Sequence, residues 1–181
     1  AQVGVIGSQK DPYKDMNINI KGLLNVLEAS KGHNIEKVVH ASSAAPLGDQ
    51  EPPLSEKDIP KPLAPYGASK MAGEGYCSAY AESFGLNTVA LRFSNVYGPY
   101  SLHKSSVIQL FIKQLLKKEQ PKIYGDGKQT RDFIFSKDIA KSIILSLKKD
   151  LSSGFELIQL GTGKETSVNE LFSKIKEKMK E

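Results

Sequence analysis

Tyr66 and Lys70 stand one helical turn apart in Pro-Tyr-Gly-Ala-Ser-Lys at residues 65–70. A phenol beside an ammonium makes a base, because nearby positive charge favours phenolate over phenol. Bringing a tyrosine from its ordinary ~10 to neutrality takes roughly 4 kcal/mol. One lysine does not offer that much, so a second cation is expected beside the pair. The spacing alone says little. With 23 lysines and 7 tyrosines in 181 residues, about one Tyr-x-x-x-Lys arises by chance, and the chain holds three: Tyr66/Lys70, Tyr100/Lys104 and Tyr124/Lys128. Tyr100 follows Gly98-Pro99 and Tyr124 opens Tyr-Gly-Asp-Gly, so both fall in turns. Only Tyr66/Lys70 lies on a periodic helix at a suitable distance after a Ser42-Ser43 strand end. The alternative for that pair is a solvated lysine packed on a tyrosine. Arg92 and Arg131, the only arginines beside 23 lysines, also stand out, since a guanidinium suits phosphate.

The elements that must position these groups alternate in type. Ala68, Ala72, Tyr76, Tyr80 and Phe84 recur every fourth residue, which predicts a helix over 66–84 with an apolar face on the core, stopped by Gly85. A helix is expected over 15–31 with Gly32 ending it, and a short buried strand over 37–42 ending at Ser42-Ser43. Residues 44–65 hold six of the nine prolines and read as a long loop. A strand follows at 86–93, a turn at 94–99 and an amphipathic helix at 105–118. Lys122-Ile123-Tyr124 reads as a short strand, and Gly125 to Thr130 as a loop before Arg131. Helices at 137–148 and 167–180 flank a strand at 155–160. Such alternation argues an α/β fold with parallel strands. Residues 1–9 carry glycines but lack a third glycine and a launching strand, so they are not a phosphate-binding loop.

Composition narrows the classes. A hydrophobic fraction of 39% suits a globular core, and no apolar run has the length of a membrane span. No charged-then-apolar stretch is read, so a secretory leader is not expected. The single cysteine, Cys77, excludes an intrachain disulfide framework, fits a reducing cytoplasm and reads as a packing residue. The histidines, His33, His40 and His103, have no paired spacing, which argues against a zinc site. The net charge of +5 comes from dispersed lysines without a basic-aromatic motif, so solvated faces explain it better than nucleic acid.

The ordered set of motifs resembles the extended short-chain dehydrogenase/reductases of the NAD-dependent epimerase/dehydratase family, in particular UDP-glucose 4-epimerase-like proteins. The matching stretches are Asn19-Ile-Lys-Gly-Leu-Leu-Asn25, Ala41-Ser-Ser-Ala-Ala45, Tyr66-x-x-x-Lys70, Arg92-Phe-Ser-Asn-Val-Tyr-Gly-Pro99, Tyr124-Gly-Asp-Gly-x-Gln-x-Arg-Asp-Phe133 and Leu160-Gly-Thr-Gly163. Each is weak alone, and their shared order over nearly the whole chain is strong. The resemblance implies a partial Rossmann-type, doubly wound parallel sheet plus part of a smaller substrate-binding lobe. Residues 1–98 would be the C-terminal part of the NAD-binding domain, and 99–181 a substrate lobe interleaved with its last elements. It also implies that the glycine-rich N-terminal region and the C-terminal end of such enzymes are missing, so the chain reads as an internal fragment, not expected to hold NAD tightly or to turn over by itself. With the first strands lacking, exposed sheet edge and apolar surface are an aggregation hazard.

For the intact enzyme the resemblance implies a catalytic set of Ser43, Tyr66 and Lys70. Tyr66 as phenolate takes a proton from a sugar hydroxyl while the sugar carbon passes hydride to NAD⁺. Lys70 and the nicotinamide cation supply the two positive charges, and Ser43 hydrogen-bonds the sugar oxygen. The keto-sugar then turns over and regains hydride on its other face. Asn19, which resembles the asparagine supporting the active-site helix, joins Ser43, Tyr66, Lys70 and Ser94 as cofactor contacts, although Ser94 replaces an aromatic often found there. On the substrate side, Asn95 and Arg131 resemble diphosphate contacts and Ile123-Tyr124 the segment beside the base; for Arg131 the alternative is a surface salt bridge with Asp132 or Asp126. Related dehydratases and decarboxylases carry an acidic residue just after the Ser43 position. Here Ala44 and Ala45 stand there, which favours simple epimerisation of a UDP-hexose. Pro46-Leu47-Gly48 departs from the usual Val-Tyr-Gly. A reductase or epimerase on another nucleotide sugar, and a non-catalytic scaffold of the same fold, are the alternatives. A homodimer through helices 15–31 and 66–84 is expected by resemblance, with no nucleic-acid or membrane partner.

Overall fold

The computed structural model describes residues 2–101, 106–151 and 153–179. They divide into two compact units, 1–93 with 141–160, and 94–140 with 161–181.

In the first unit a three-stranded parallel sheet runs in the order β1 (Val38–Ser43), β2 (Thr88–Phe93), β6 (Phe155–Leu160). Its register aligns Ser43, Phe93 and Leu160 at the C-terminal ends of the strands. The central strand β2 is buried from Thr88 to Arg92, as its Thr-Val-Ala-Leu run demands of a strand covered on both faces. Before the sheet come α1 (Val5–Lys10), α2 (Pro12–Met16) and α3 (Gly22–Lys31). Asp11 separates the first two: its carboxylate accepts Lys14 N–H at 2.9 Å and Pro12 opens the next helix. The helix expected over 15–31 is therefore preceded by further helix, and it is interrupted. Asn17–Lys21 is a π-turn, in which the Gly22 N–H reaches back five residues to Asn17 O.

Helix α4 (Pro65–Phe84) begins with Pro65 at its first position and ends on left-handed Gly85, φ 66°. Its boundaries agree with the sequence, but its buried face does not. The residues that pack inward are Gly67, Lys70, Glu74, Cys77 and Ala81, with Ser69, Gly73 and Tyr80 beside them, whereas Ala68, Tyr76 and Phe84 are exposed. A four-residue repeat gains about 40° per step on a helix of 3.6 residues per turn, so a five-member stripe winds off any one face. Leu23, Leu24 and Val38 pack on the buried cluster of Leu27, Tyr80 and Leu86. Residues 48–64 form the expected loop after a 3₁₀ turn at Ala45–Leu47, folded on itself by Lys61 N–H to Pro46 O at 2.9 Å.

The second unit contains β3 (Asn95–Tyr97) paired in parallel with β5 (Phe133–Phe135), and β4 (Thr130–Arg131) antiparallel to β7 (Thr166–Ser167). Helix α5 (Val107–Leu116) packs on α7 (Val168–Lys178) through an edge-on Phe111–Phe172 contact at 5.4 Å. Helix α6 (Ser136–Lys148) starts in this unit and passes at Lys141 into the first. Two expectations are corrected here. The turn over 94–99 contains strand β3, and Lys122-Ile123-Tyr124 is not a strand. Three-residue strands form only where a distant partner supplies their hydrogen bonds, which local pattern does not reveal. The helix ends expected at 105 and 180, together with His103 and Lys104, lie outside the described residues.

Candidate active site

Strand β1 and the first turns of α4 bring three of the expected groups together. Burial holds the Tyr66 phenol above its ordinary value; the hydrogen bond with the Ser43 hydroxyl draws it part of the way back, and the Asp15 charge raises it again. Lys70 Nζ donates to Ala41 O at 2.8 Å and lies 5.9 Å from the Tyr66 ring centroid. Burial pushes the Lys70 ammonium below its ordinary value. The lysine is therefore one positive charge beside a buried phenol, and by itself it does not make that phenol a base at neutrality.

Asn19 lies in the π-turn and is buried, 5% exposed. Its Nδ2 donates to Asp15 Oδ1 at 3.0 Å, Gln2 O at 3.1 Å and Ser69 Oγ at 3.2 Å. Ser69 in turn donates to Tyr66 O at 3.0 Å, and the Tyr66 N–H is held by Ser8 Oγ at 3.0 Å. Asn19 thus pins the N-terminal turn of α4 from behind, in place of the surface amide that an ordinary helix position would give. The residues missed by sequence reasoning are Asp15, Ser8, Ser69 and Glu74. A signal existed for Asp15, which stands four residues before Asn19 and so shares its helical face.

Arg92 is committed to a buried ion pair. It is 2% exposed and forms a two-pronged bond to Glu74, Nε to Oε1 at 2.9 Å and Nη2 to Oε2 at 2.7 Å. Ser42 Oγ donates to the same carboxylate at 2.5 Å. Of the two adjacent serines, Ser42 belongs to this buried ion pair and Ser43 to the phenol. Cys77 is fully buried, its thiol pushed up to about 12 by burial, which fits a packing residue.

The remaining candidates lie in the second unit. Asn95 is exposed; its N–H and Nδ2 both donate to Asp132 O, at 3.0 and 3.3 Å. Arg131 is exposed, its Nη1 donating to Thr130 O at 2.7 Å. Neither carboxylate considered for it is its partner: Asp126 pairs with Lys128, and Asp132 accepts Thr162 N–H, Thr162 Oγ–H and Gly163 N–H at 2.7–2.9 Å. Tyr124 is 71% exposed with Lys122 over its ring, and Ile123 is half-buried. The turn that follows is clamped by Asn169, whose Nδ2 donates to Asp126 O at 2.8 Å. Ser94 is half-buried at the entry to β3.

A parallel sheet whose first strand ends in a serine bonded to the tyrosine of a Tyr-x-x-x-Lys helix defines a class. The profile of the NAD dependent epimerase/dehydratase family matches residues 1–161, and the chain belongs to that family. It is 42% identical over 180 residues to a putative UDP-glucose 4-epimerase of Methanocaldococcus jannaschii, a match covering 97% of this chain and 58% of that protein. Among solved structures it resembles the UDP-N-acetylglucosamine 4-epimerase of Methanobrevibacter ruminantium in complex with UDP-N-acetylmuramic acid, at 39% identity and a TM-score of 0.95, over 100% of this chain and 59% of that one. It also resembles the UDP-glucuronic acid 4-epimerase of Bacillus cereus in complex with UDP-glucuronic acid and NAD, at 31% identity and a TM-score of 0.89, over 100% of this chain and 58% of that one. The α/β fold with its Rossmann-like parallel sheet is the fold of these proteins. The chain spans less than two thirds of each.

Proposed function

We propose that the chain carries the catalytic residues of an NAD-dependent nucleotide-sugar epimerase that inverts C4 of a UDP-hexose through a 4-keto sugar. The observation that carries this reading is the Ser43–Tyr66–Lys70 cluster, a hydroxyl bonded to a phenol with an ammonium one turn away. These donors suit NAD: Tyr66 and Lys70 offer hydroxyl and ammonium to a ribose, with Asn19 fixing their helix and Ser94 read as a further contact. When bound, NAD accepts hydride from the sugar carbon and returns it. Tyr66 receives the proton of the sugar hydroxyl, Lys70 supplies positive charge beside it, and Ser43 orients the phenol and holds the sugar oxygen. The raised phenol supports the expectation that a second cation must join Lys70 before Tyr66 acts as a base. Exposed Arg131 and Asn95 are read as diphosphate contacts, and Ile123 with Tyr124 as the wall beside the base.

Ala44 and Ala45 place no carboxylate after Ser43, which favours epimerisation over elimination. The relatives' names agree on a UDP-sugar and on C4 but differ in the sugar, so the assignment is made at the level of UDP-hexose. We read residues 1–98 as the C-terminal part of the NAD-binding domain and 99–181 as the interleaved substrate lobe. Among the described residues no helix is long and apolar enough to cross a membrane, and we assign the protein to the cytoplasm. A homodimer through the helices at 15–31 and 66–84 is part of the same reading.

The test places this chain in the frame of the longer M. jannaschii relative and supplies NAD⁺ with a panel of UDP- and dTDP-sugars. Proton NMR follows the anomeric and C4 signals, with Tyr66→Phe alongside. A new C4 epimer, formed at least ~100-fold more slowly by the variant, is the expected result. No turnover on any sugar with cofactor bound would move the assignment to another nucleotide sugar or to a scaffold.

A further inference from the structure

Asp15 is 1% exposed, yet only one of its carboxylate oxygens is satisfied: Oδ1 accepts Asn19 Nδ2 at 3.0 Å, while Oδ2 is buried without a partner. A buried carboxylate with an orphan oxygen is costly, and a purely structural position would be served by a neutral side chain. Something charged must offset it. The titratable groups that the packing brings here are Tyr66 and Lys70 on α4 and, on β1, His40, which feels the Lys70 charge; α1 offers the neutral hydroxyl of Ser8 and the π-turn the amide of Asn19. Lys70 is the cation of that set, and Asp15 acts on it by charge, since Lys70 gives its hydrogen bond to Ala41 O.

We infer that Asp15 is a positioning residue, a buried counter-charge held in place by Asn19 that fixes the charges carried by Tyr66 and Lys70. Burial loosens the hold of Lys70 on its proton and the negative charge of Asp15 opposes that, while the same charge opposes loss of the Tyr66 proton. The pair is thereby kept as ammonium and phenol, with both titrations set higher than burial and bonding alone would leave them. The inference deepens the epimerase reading, on which it rests for its meaning, because there Tyr66 and Lys70 move and stabilise the proton. Its test does not depend on that reading.

The 181-residue chain, labelled with ¹³Cζ-tyrosine and ¹⁵Nζ-lysine, is titrated by NMR without cofactor or sugar. Tyr66→Phe and Lys70→Met assign the two signals. In Asp15→Asn both midpoints are expected to fall, by about one pH unit each, a tenfold change in proton dissociation. Asp15→Glu, which keeps the charge, restores at least half of both shifts. Unmoved midpoints in a folded Asp15→Asn protein overturn the inference. If Asp15→Asn does not fold, the double variant with Lys70→Met decides. Recovery of the fold shows that the carboxylate was required by the cation, and continued failure shows a packing role and overturns the inference. Absence of sugar turnover in the chimeric enzyme would leave these titrations readable, so the two failures are distinct.

Discussion

The His40 imidazole has one ring nitrogen, Nε2, buried without a hydrogen-bond partner, and the Lys70 ammonium as a charged neighbour. Burial first and that ammonium second hold it down to about 4. An unfolded chain takes up a proton near 6.5, whereas the folded one resists until about 4. Stability from this residue is therefore complete above pH 6.5 and lost as pH falls through that window. The loss is on the order of 2 kcal/mol for a partly exposed ring. Urea midpoints at pH 7, 5.5 and 4.5 check it: the acid decline should flatten in His40→Phe. Arg92 gives a second expectation. Arg92→Leu strands the Glu74 carboxylate in the core and should cost about 3–5 kcal/mol, while Arg92→Leu with Glu74→Leu recovers most of that. Equal loss in single and double variants, read from the same denaturation curves, would refute this. Tyr66 and Lys70 were legible in the sequence because one helix turn suffices to pair them; the strand end offered Ser42 and Ser43 together, and only the family resemblance chose Ser43. Glu74 was not legible, since its partner lies eighteen residues on, in strand β2, and only a fold brings the two together.

At the level of elements, α4 lies close on β1 at Gly73. A Cβ there would stand 2.7 Å from His40 Nε2 and 3.1 Å from Leu23 Cδ2. Gly73→Ala gains helix propensity of about 1 kcal/mol but must push apart two packed side chains, and overpacking of that kind costs about 1–3 kcal/mol. A net loss of about 1 kcal/mol in the urea midpoint is expected, and a stabilised variant would show that the layers can part freely. Long elements with their own periodicity, such as α4, β2 and α7, were legible almost to their ends. The inward face of α4 was not, because polar Ser69, Lys70 and Glu74 are buried where a pattern of apolar residues was sought. Strands of two or three residues, β3, β4, β5 and β7, carry no period at all; their pairing across 35 to 40 residues defines them.

For the molecule as a whole, the helices before the sheet and α4 leave Tyr13 77%, Val26 52%, Phe84 51% and Tyr76 38% exposed. Apolar side chains of this size on neighbouring helices are what a second copy would cover in the proposed homodimer. Val26→Glu with Tyr76→Glu should turn a dimer into a monomer in sedimentation velocity, with circular dichroism unchanged. Unaltered sedimentation would place the contact elsewhere.

The π-turn at Asn17–Lys21 makes chain length itself a functional variable. Such a turn encloses one residue more than an α-turn, so removing the exposed Ile18 would let the segment close as regular α-helix. The backbone would gain order while everything before the deletion rotated by about 100° against α3, carrying Asp15 away from Asn19 and Ser8 away from the Tyr66 N–H. A protein one residue shorter should thus be as helical as its parent and keep Asn19 on Ser69, yet lose the Ser8 hold on the Tyr66 N–H at the start of α4. The extra residue acts as an inherited phase shift, and a gap there in a related sequence would mark a helix that has lost its grip on the tyrosine.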